Sequence, residues 1–213
     1  MAEDEPGWKR ASDCTADPGA IPHGDPRPGW DPNHAAFDPE RVDPGAETIW
    51  RDAGAPYGRG PGGVPYTKQQ YTERFHTFDR HGMPDMAWPP NQGAVAGTKW
   101  DYTDVYQFVL KFGDRVDRLG HPKGTFFAVM ENGLSASYES RALPYDSLYQ
   151  ELHTYTLIPG KLPKGWKIRV MDTAPAFGQP GGSLALIFYD DKGNKLSAEQ
   201  LTDPRIGVLR DDR

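Results

Sequence analysis

The chain has 213 residues, a formal net charge of −6 and a sequence pI of about 5.5. This length suits one ordinary domain with an extension, and the acidic balance argues against nucleic-acid binding as the main task. No apolar run approaches the roughly 20 residues that span a bilayer, so we expect no membrane span.

The N-terminal residues Met1–Pro6 are acidic and lack the apolar core of a secretory signal. Two explanations stay open: a cytoplasmic protein, or export by another route or within a longer parent polypeptide. The lone Cys14 cannot form an internal disulfide, so stability must come from the core. The histidines show no metal-ligand spacing with acidic or cysteine partners, and we expect no metal site.

Residues 1–65 are rich in Pro, Gly and Asp, which predicts an irregular N-terminal arm before a domain at 66–213. Aromatic residues are spaced through this arm, and we expect some of them to dock on the domain: Trp8, Trp30, Phe37 and Trp50.

The first predicted helix covers residues 66–78, with Thr67 as cap and Gln70 completing a weak capping box. A second helix is predicted at 101–112, where apolar residues recur on one side. The capping box Ser197–Gln200 opens a short last helix.

Between these helices, short apolar or alternating runs of β-rich residues predict strands. They lie at 125–130, 153–158, 167–171 and 183–189, and the last reads as a buried central strand. Short strands with peripheral helices predict an α+β domain with a small mixed or antiparallel sheet.

Two glycine loops stand out. In 117–126, Gly120 and Gly124 permit close backbone approach, and in 174–182 a glycine pair follows Pro180. The first loop carries Arg and Lys and the second carries Gln. Such a pair suits an anionic ligand with an amide or sugar end, for example a dinucleotide.

Five motifs occur in order: Trp88–Gly93, Asp117–Gly120, Gly124–Phe126, Arg141–Pro144 and Phe177–Gly182. Over roughly residues 85–205 the chain resembles the tuberculosis necrotizing toxin (TNT) family, which comprises NAD(P)+ glycohydrolases of bacterial exported toxins and fungal surface enzymes. The resemblance implies an ADP-ribosyltransferase-like α+β fold with a strand near 115–117. It also implies release of nicotinamide and ADP-ribose from NAD+ or NADP+ as substrate, with no cofactor.

The resemblance further implies a secreted toxin without a visible signal peptide, which acts in the target-cell cytoplasm and depletes its NAD. A producer of such a toxin would need a cognate immunity protein that covers the site.

The resemblance also implies a site. Arg118 would form bidentate hydrogen bonds with the diphosphate, unless it pairs with Asp117 or Asp114 instead. Phe126 would stack on the pyridinium, unless it is a core phenylalanine. His153 would lie within reach of the substrate, although a histidine on a half-buried strand is usually structural.

Gln179 would hold the ribose and the carboxamide with its donor and acceptor ends, and its alternative is a plain loop glutamine. Lys123 would add a second positive charge, or stay solvated. Gly120 would let the backbone approach the ligand. Arg141 would contact substrate, or anchor its own loop by an internal pair.

Two other functions stay open. A transferase of ADP-ribose to protein would need an acidic residue near the ribose, and no glutamate adjoins Gln179. A degenerate domain that only binds a nucleotide or partner is favoured by the segment Ser183–Leu186. Many relatives have a third glycine and a later glutamine there, and Ala185 stands in place of that glutamine.

Overall fold

The computed structural model describes residues 8–10, 36–78, 80–82 and 84–212. Cys14, Trp30 and the acidic N-terminus Met1–Pro6 lie outside the described residues. Within them, no helix is both long and apolar enough to cross a membrane.

One antiparallel sheet of eight strands organises the fold, which confirms the predicted α+β class. A separate two-stranded sheet pairs β2 with β3. The strands are β1 Trp8–Arg10, β2 His76–Phe78, β3 Pro84–Met86, β4 Trp100–Tyr102, β5 Arg115–Leu119, β6 Phe126–Val129, β7 Leu152–Leu157, β8 Lys167–Asp172, β9 Leu184–Tyr189 and β10 Leu209–Asp211. The order in the large sheet is β1-β4-β8-β9-β6-β5-β7-β10. As predicted, the apolar strand β9 lies in the middle of it.

Short helices surround the sheet: α1 Pro44–Ile49, α2 Lys68–Phe75, α3 Val105–Phe112 and α4 Ala198–Thr202. Both predicted capping boxes are present. Thr67 Oγ1 accepts from the Gln70 backbone N–H at 3.2 Å, and the Gln70 side chain accepts from the Thr67 N–H at 2.9 Å. Ser197 and Gln200 make the same reciprocal pair at the start of α4. These side chains satisfy backbone donors that the first turn of a helix leaves free.

Two predicted helix boundaries were wrong. The helix predicted to reach residue 78 ends at Phe75, because the backbone of β2 pairs instead with β3. The helix predicted from residue 101 begins at Val105. Asp104 caps it by accepting from the Tyr106 N–H at 2.8 Å, while β4 lies between β1 and β8 in the sheet.

The arm contributes to the packing from residue 36 onwards. Phe37 stacks on Tyr149 with ring centroids 5.8 Å apart and meets Trp50 edge-on at 5.4 Å, so both rings dock as expected. Ala46 and Ile49 of α1 are buried in one hydrophobic cluster with Leu119 of β5. The domain boundary at residue 65 stays a prediction. Side chains before residue 65 pack in the same hydrophobic clusters as side chains after it.

A buried ion pair joins β5 to the segment after β6. Arg141 donates from Nη1 and Nη2 to the two carboxylate oxygens of Asp117 at 2.6 and 2.8 Å, and its Nε donates to the Ala136 carbonyl at 3.0 Å. Asp117 has no exposed surface. A carboxylate buried this deeply is tolerated only when its charge is paired and its oxygens are hydrogen-bonded.

Replacing Asp117 with Ala should therefore lower the free energy of unfolding by about 3–5 kcal/mol, because it leaves the buried Arg141 guanidinium uncompensated. Urea unfolding followed by circular dichroism measures this. The matched control is Asp203→Ala, which removes the partner of the highly exposed Arg205 and should change stability little. A loss below about 1 kcal/mol for Asp117→Ala would show that the pair does not hold the fold.

Candidate functional site

A cavity of about 590 Å³ lies beside the ends of β5 and β6. Its walls come from the Trp88–Gly93 motif, the turn between β5 and β6, the Arg141–Gln150 segment and the chain from Thr173 to Ala185. Cavities of about 300–1,000 Å³ are typical of sites for small ligands and cofactors. All five sequence motifs thus contribute residues to the lining of this cavity.

Arg118, on β5, supplies a positive charge to this cavity. Its Nε donates to the His121 carbonyl at 2.9 Å and its Nη1 to the Phe126 carbonyl at 2.6 Å. Among the described residues, no carboxylate lies within 4.0 Å of it, since Asp117 pairs with Arg141 instead. Burial lowers the pKa of the Arg118 guanidinium, which still remains charged at neutral pH. A half-buried cation that donates hydrogen bonds to carbonyl oxygens, and to no carboxylate among the described residues, is a candidate anion-binding group.

The glycines of the first loop make room for this guanidinium. A Cβ at Gly124 would overlap the terminal nitrogens and carbon of Arg118, and one at Gly120 would stand 3.4 Å from Nη2. Gly120 also has a φ of +121°, which side chains rarely allow. Gly124 is therefore required by the position of Arg118, and Gly120 by its backbone conformation.

Phe126 opens β6 and is half-buried in the cavity wall. It packs in a cluster with Ile187 and Ala185 of β9, and the Lys195 ammonium lies 4.7 Å from its ring centroid. Both alternatives predicted for Phe126 therefore stay open: a core phenylalanine, and a ring on which a flat ligand stacks.

His153 lies directly opposite Arg118 in the antiparallel register of β7 and β5. Facing residues on neighbouring strands lie on the same side of a sheet, so the two side chains are neighbours. His153 is only 2% exposed, its Nε2 is 3.5 Å from a carboxylate oxygen of Glu151, and its ring lies parallel to Tyr155. The cavity wall includes Arg118 but not His153.

Gln179 is buried, but the structure does not bring it into the cavity of Arg118. It borders a second cavity of about 460 Å³, which Arg59, Tyr66 and Glu139 also line. Its backbone closes a tight turn with Ala176, with N···O distances of 2.8 and 3.1 Å. The sequence predicts one ligand site for the two glycine loops, but Arg118 and Gln179 line different cavities.

The turn that carries Gln179 presents other residues to the cavity. Phe177 has a left-handed φ of 52°, which is unusual for a bulky side chain, and it is followed by Gly178 at 74°. The Phe177 ring lines the cavity and meets Trp88 edge-on at 5.5 Å. Ser183 and Ala185 follow in the same wall.

The remaining predicted residues differ in their placement. Gly120 lines the cavity, as does Arg141, whose guanidinium is held by Asp117. Lys123 is exposed and lies outside the cavity wall. The substrate-binding roles assigned to these residues stay predictions. Among the described residues, no group of three or more His, Cys, Asp and Glu side chains could hold a metal ion.

Sequence reasoning missed two side chains of the wall. Trp88 lines the cavity and is 54% exposed. Gln92 also lines it, and its side-chain amide donates a hydrogen bond to the Tyr189 hydroxyl. Both belong to the Trp88–Gly93 motif, which served only to support the resemblance. Asn91, Gln92 and Gly93 all have positive φ. Asn and Gly are typical of turns with such angles, so these two residue types could have indicated the unusual backbone from the sequence.

Comparison with known proteins agrees with the geometry. A family model described as tuberculosis necrotizing toxin matches residues 109–204. A solved structure of tuberculosis necrotizing toxin complexed with its immunity factor IFT is 40% identical, with a TM-score of 0.81 over 94% of this chain and 98% of that one. The chain belongs to the tuberculosis necrotizing toxin family.

Two curated relatives of this family member are outer membrane channel proteins CpnT, from Mycobacterium tuberculosis and Mycobacterium bovis. Each is 40% identical over 214 aligned residues, which cover 99% of this chain but 24% of the relative. The chain therefore spans about a quarter of the length of the curated relatives that it matches.

The Gly124–Arg118 contact gives a prediction about anion binding. Gly124→Ala should displace the guanidinium, because the overlapping atoms are the end of a flexible side chain, and leave the fold intact. We expect the affinity for inorganic pyrophosphate, measured by calorimetry, to fall about ten-fold, as one charge-assisted hydrogen bond is lost. Gly54→Ala, where a Cβ meets nothing closer than 3.8 Å, is the control. Equal affinity in Gly124→Ala and wild type would remove Arg118 from the anion site.

Proposed function

We propose that this member of the toxin family is an NAD(P)+ glycohydrolase, which releases nicotinamide and ADP-ribose and depletes the NAD of a target cell. The observation that carries the proposal is the composition of the cavity. Arg118 is a half-buried cation with no carboxylate partner among the described residues, and aromatic rings of Trp88, Phe126 and Phe177 stand in the same wall. A dinucleotide with an anionic diphosphate and a flat, cationic pyridinium complements both features.

The proposed reaction breaks the bond between the ribose C1′ and the pyridinium nitrogen. The bonding electron pair leaves with nicotinamide, which becomes neutral, so no strong acid is needed. Positive charge develops on the ribose as an oxocarbenium ion, water attacks C1′, and the water gives up one proton. The protein must hold the ribose, orient the ring and admit a single water.

Arg118 would bind the diphosphate in both the ground state and the transition state, and so contributes mainly to substrate affinity. Phe126 would hold the pyridinium ring by stacking; as a phenylalanine it has no hydroxyl with which to transfer a proton. His153 faces Arg118 in the register of β7 and β5, outside the cavity wall, and would act close to this anion site.

The catalytic role predicted for Gln179 is kept as part of this proposal, with a structural condition. Gln179 borders the second cavity and not the first, so we propose that the turn from Ala176 to Gln179 opens to bring the amide to a ribose in the first.

A second candidate function rests on the strand after Gly182. Ser183 and Ala185 line the cavity at the segment where many relatives are expected to carry a glycine and a glutamine. A domain that binds the dinucleotide without hydrolysing it would fit this change. Transfer of ADP-ribose to a protein is less favoured, since it needs an acidic residue near the ribose. An immunity protein that covers the cavity is the partner proposed for an active toxin, by analogy with the complex of the related structure.

The direct test is nicotinamide release from NAD+ by the purified chain. We expect turnover by the wild type and a raised KM for Arg118→Ala, because diphosphate binding is lost in ground and transition states alike. Arg115→Ala, on the same strand but exposed and paired with Asp212, is the matched control and should behave as wild type. A folded wild-type protein that binds NAD+ without releasing nicotinamide would instead support the second candidate.

Replacing Gln179 with Ala tests its assigned role separately. Loss of the proposed amide contact with the ribose should lower kcat by about 10²–10³ with little change in KM. Circular dichroism and a melting curve check that the variant is folded. If kcat is retained, catalysis must be reassigned to His153 or to the strand after Gly182.

A further inference from the structure

Gln92 has an unusual backbone inside the proposed substrate cavity. Asn91 and Gln92 adopt left-handed φ values of 55° and 60°, and Gly93 continues at 75°. Non-glycine residues are held in this region only when the surrounding structure over-determines them, and such residues cluster at ligand sites. Here the Asn91 amide donates to the Ala94 carbonyl at 3.1 Å, and the Gly93 carbonyl accepts from the Ala174 N–H at 2.8 Å.

The side-chain amide of Gln92 is fixed by one hydroxyl. Its Nε2 lies 3.1 Å from Tyr189 Oη, and its Oε1 lies 3.4 Å from the same atom. A glutamine amide has two N–H donors and two acceptor lone pairs, so one contact with a hydroxyl leaves an N–H and a lone pair for another partner. Tyr189 therefore orients the Gln92 amide and leaves part of the amide's hydrogen-bonding capacity for a ligand.

The position of this amide matches the proposed nicotinamide end of the ligand. Gln92 and Phe126 line the same cavity, and Tyr189 belongs to the same hydrophobic cluster as the Phe126 ring. A pyridine ring stacked on Phe126 would thus have its 3-substituent near the Gln92 side chain. A primary carboxamide can present one of its N–H donors and its C=O acceptor side by side, and this edge complements the free edge of the glutamine amide.

We infer that Gln92 is a specificity residue that recognises the carboxamide of nicotinamide, with Tyr189 as the residue that positions it. This inference rests on the proposed function, since it places the nicotinamide end of the dinucleotide beside Phe126. Gln150 is the other glutamine in the cavity wall, but its side chain is exposed. Water competes for the hydrogen bonds of an exposed amide, so Gln150 is the poorer candidate.

The test compares the affinities of nicotinamide and 3-acetylpyridine, which has a methyl group in place of the amide nitrogen, by NMR titration. The wild type should prefer nicotinamide, and Gln92→Asn should reduce this preference about three- to ten-fold, as expected for the loss of one neutral hydrogen bond. Asparagine tolerates left-handed backbone angles, so this variant keeps the turn while withdrawing the amide by one methylene. Tyr189→Phe should reduce the preference in the same direction. Gln69→Ala, at an exposed position on α2 outside the cavity wall, is the control and should not change it.

Because the titration needs no turnover, its outcome is separate from that of the proposed function. A preference for nicotinamide that depends on Gln92 supports the inference even if the wild type releases no nicotinamide from NAD+. Failure of the wild type to bind nicotinamide, or an equal preference in wild type and Gln92→Asn, would overturn it.

Discussion

The bidentate pair between Arg141 and Asp117 is the interaction on which the site depends. It fixes the segment after β6 against β5 in a region from which water is excluded, where a charge left alone would be strongly unfavourable. The same segment then holds the chain that follows Thr173: the Glu139 carbonyl accepts from the Gly181 N–H at 3.3 Å, and the Ser140 carbonyl accepts from the Ser183 N–H at 3.0 Å. Two walls of the cavity are thereby positioned by one buried charge pair.

The pair also decides which arginine is left for a ligand. Side chains alternate along a strand, so Asp117 and Arg118 point to opposite faces of β5. Asp117 is occupied by Arg141 on its face. On the other face Arg118 donates to carbonyl oxygens and has no carboxylate partner within the part of the chain that the structure describes. Gly124 leaves the space into which that guanidinium fits. Because the two neighbouring side chains point to opposite faces, Asp117 stabilises the fold and Arg118 is a candidate anion-binding cation.

The sequence predicted those features whose physical cause is local. The capping boxes at Thr67 and Ser197, the apolar strand Leu184–Tyr189 and the glycine loop around Arg118 all follow from short-range rules. The end of the helix at Phe75 did not, because β2 exists only through its pairing with residues further along the chain. The cavity that Gln179 borders was also missed. It depends on the left-handed turn at Phe177 and Gly178, and composition alone does not show which wall such a turn presents to a cavity.

A crystal structure with a non-hydrolysable NAD+ analogue tests most directly whether the Arg118 cavity binds the nicotinamide dinucleotide. We predict the diphosphate within hydrogen-bonding distance of the Arg118 guanidinium and the nicotinamide ring against Phe126. An analogue bound in the second cavity, or elsewhere on the surface with the Arg118 cavity unchanged, would contradict it.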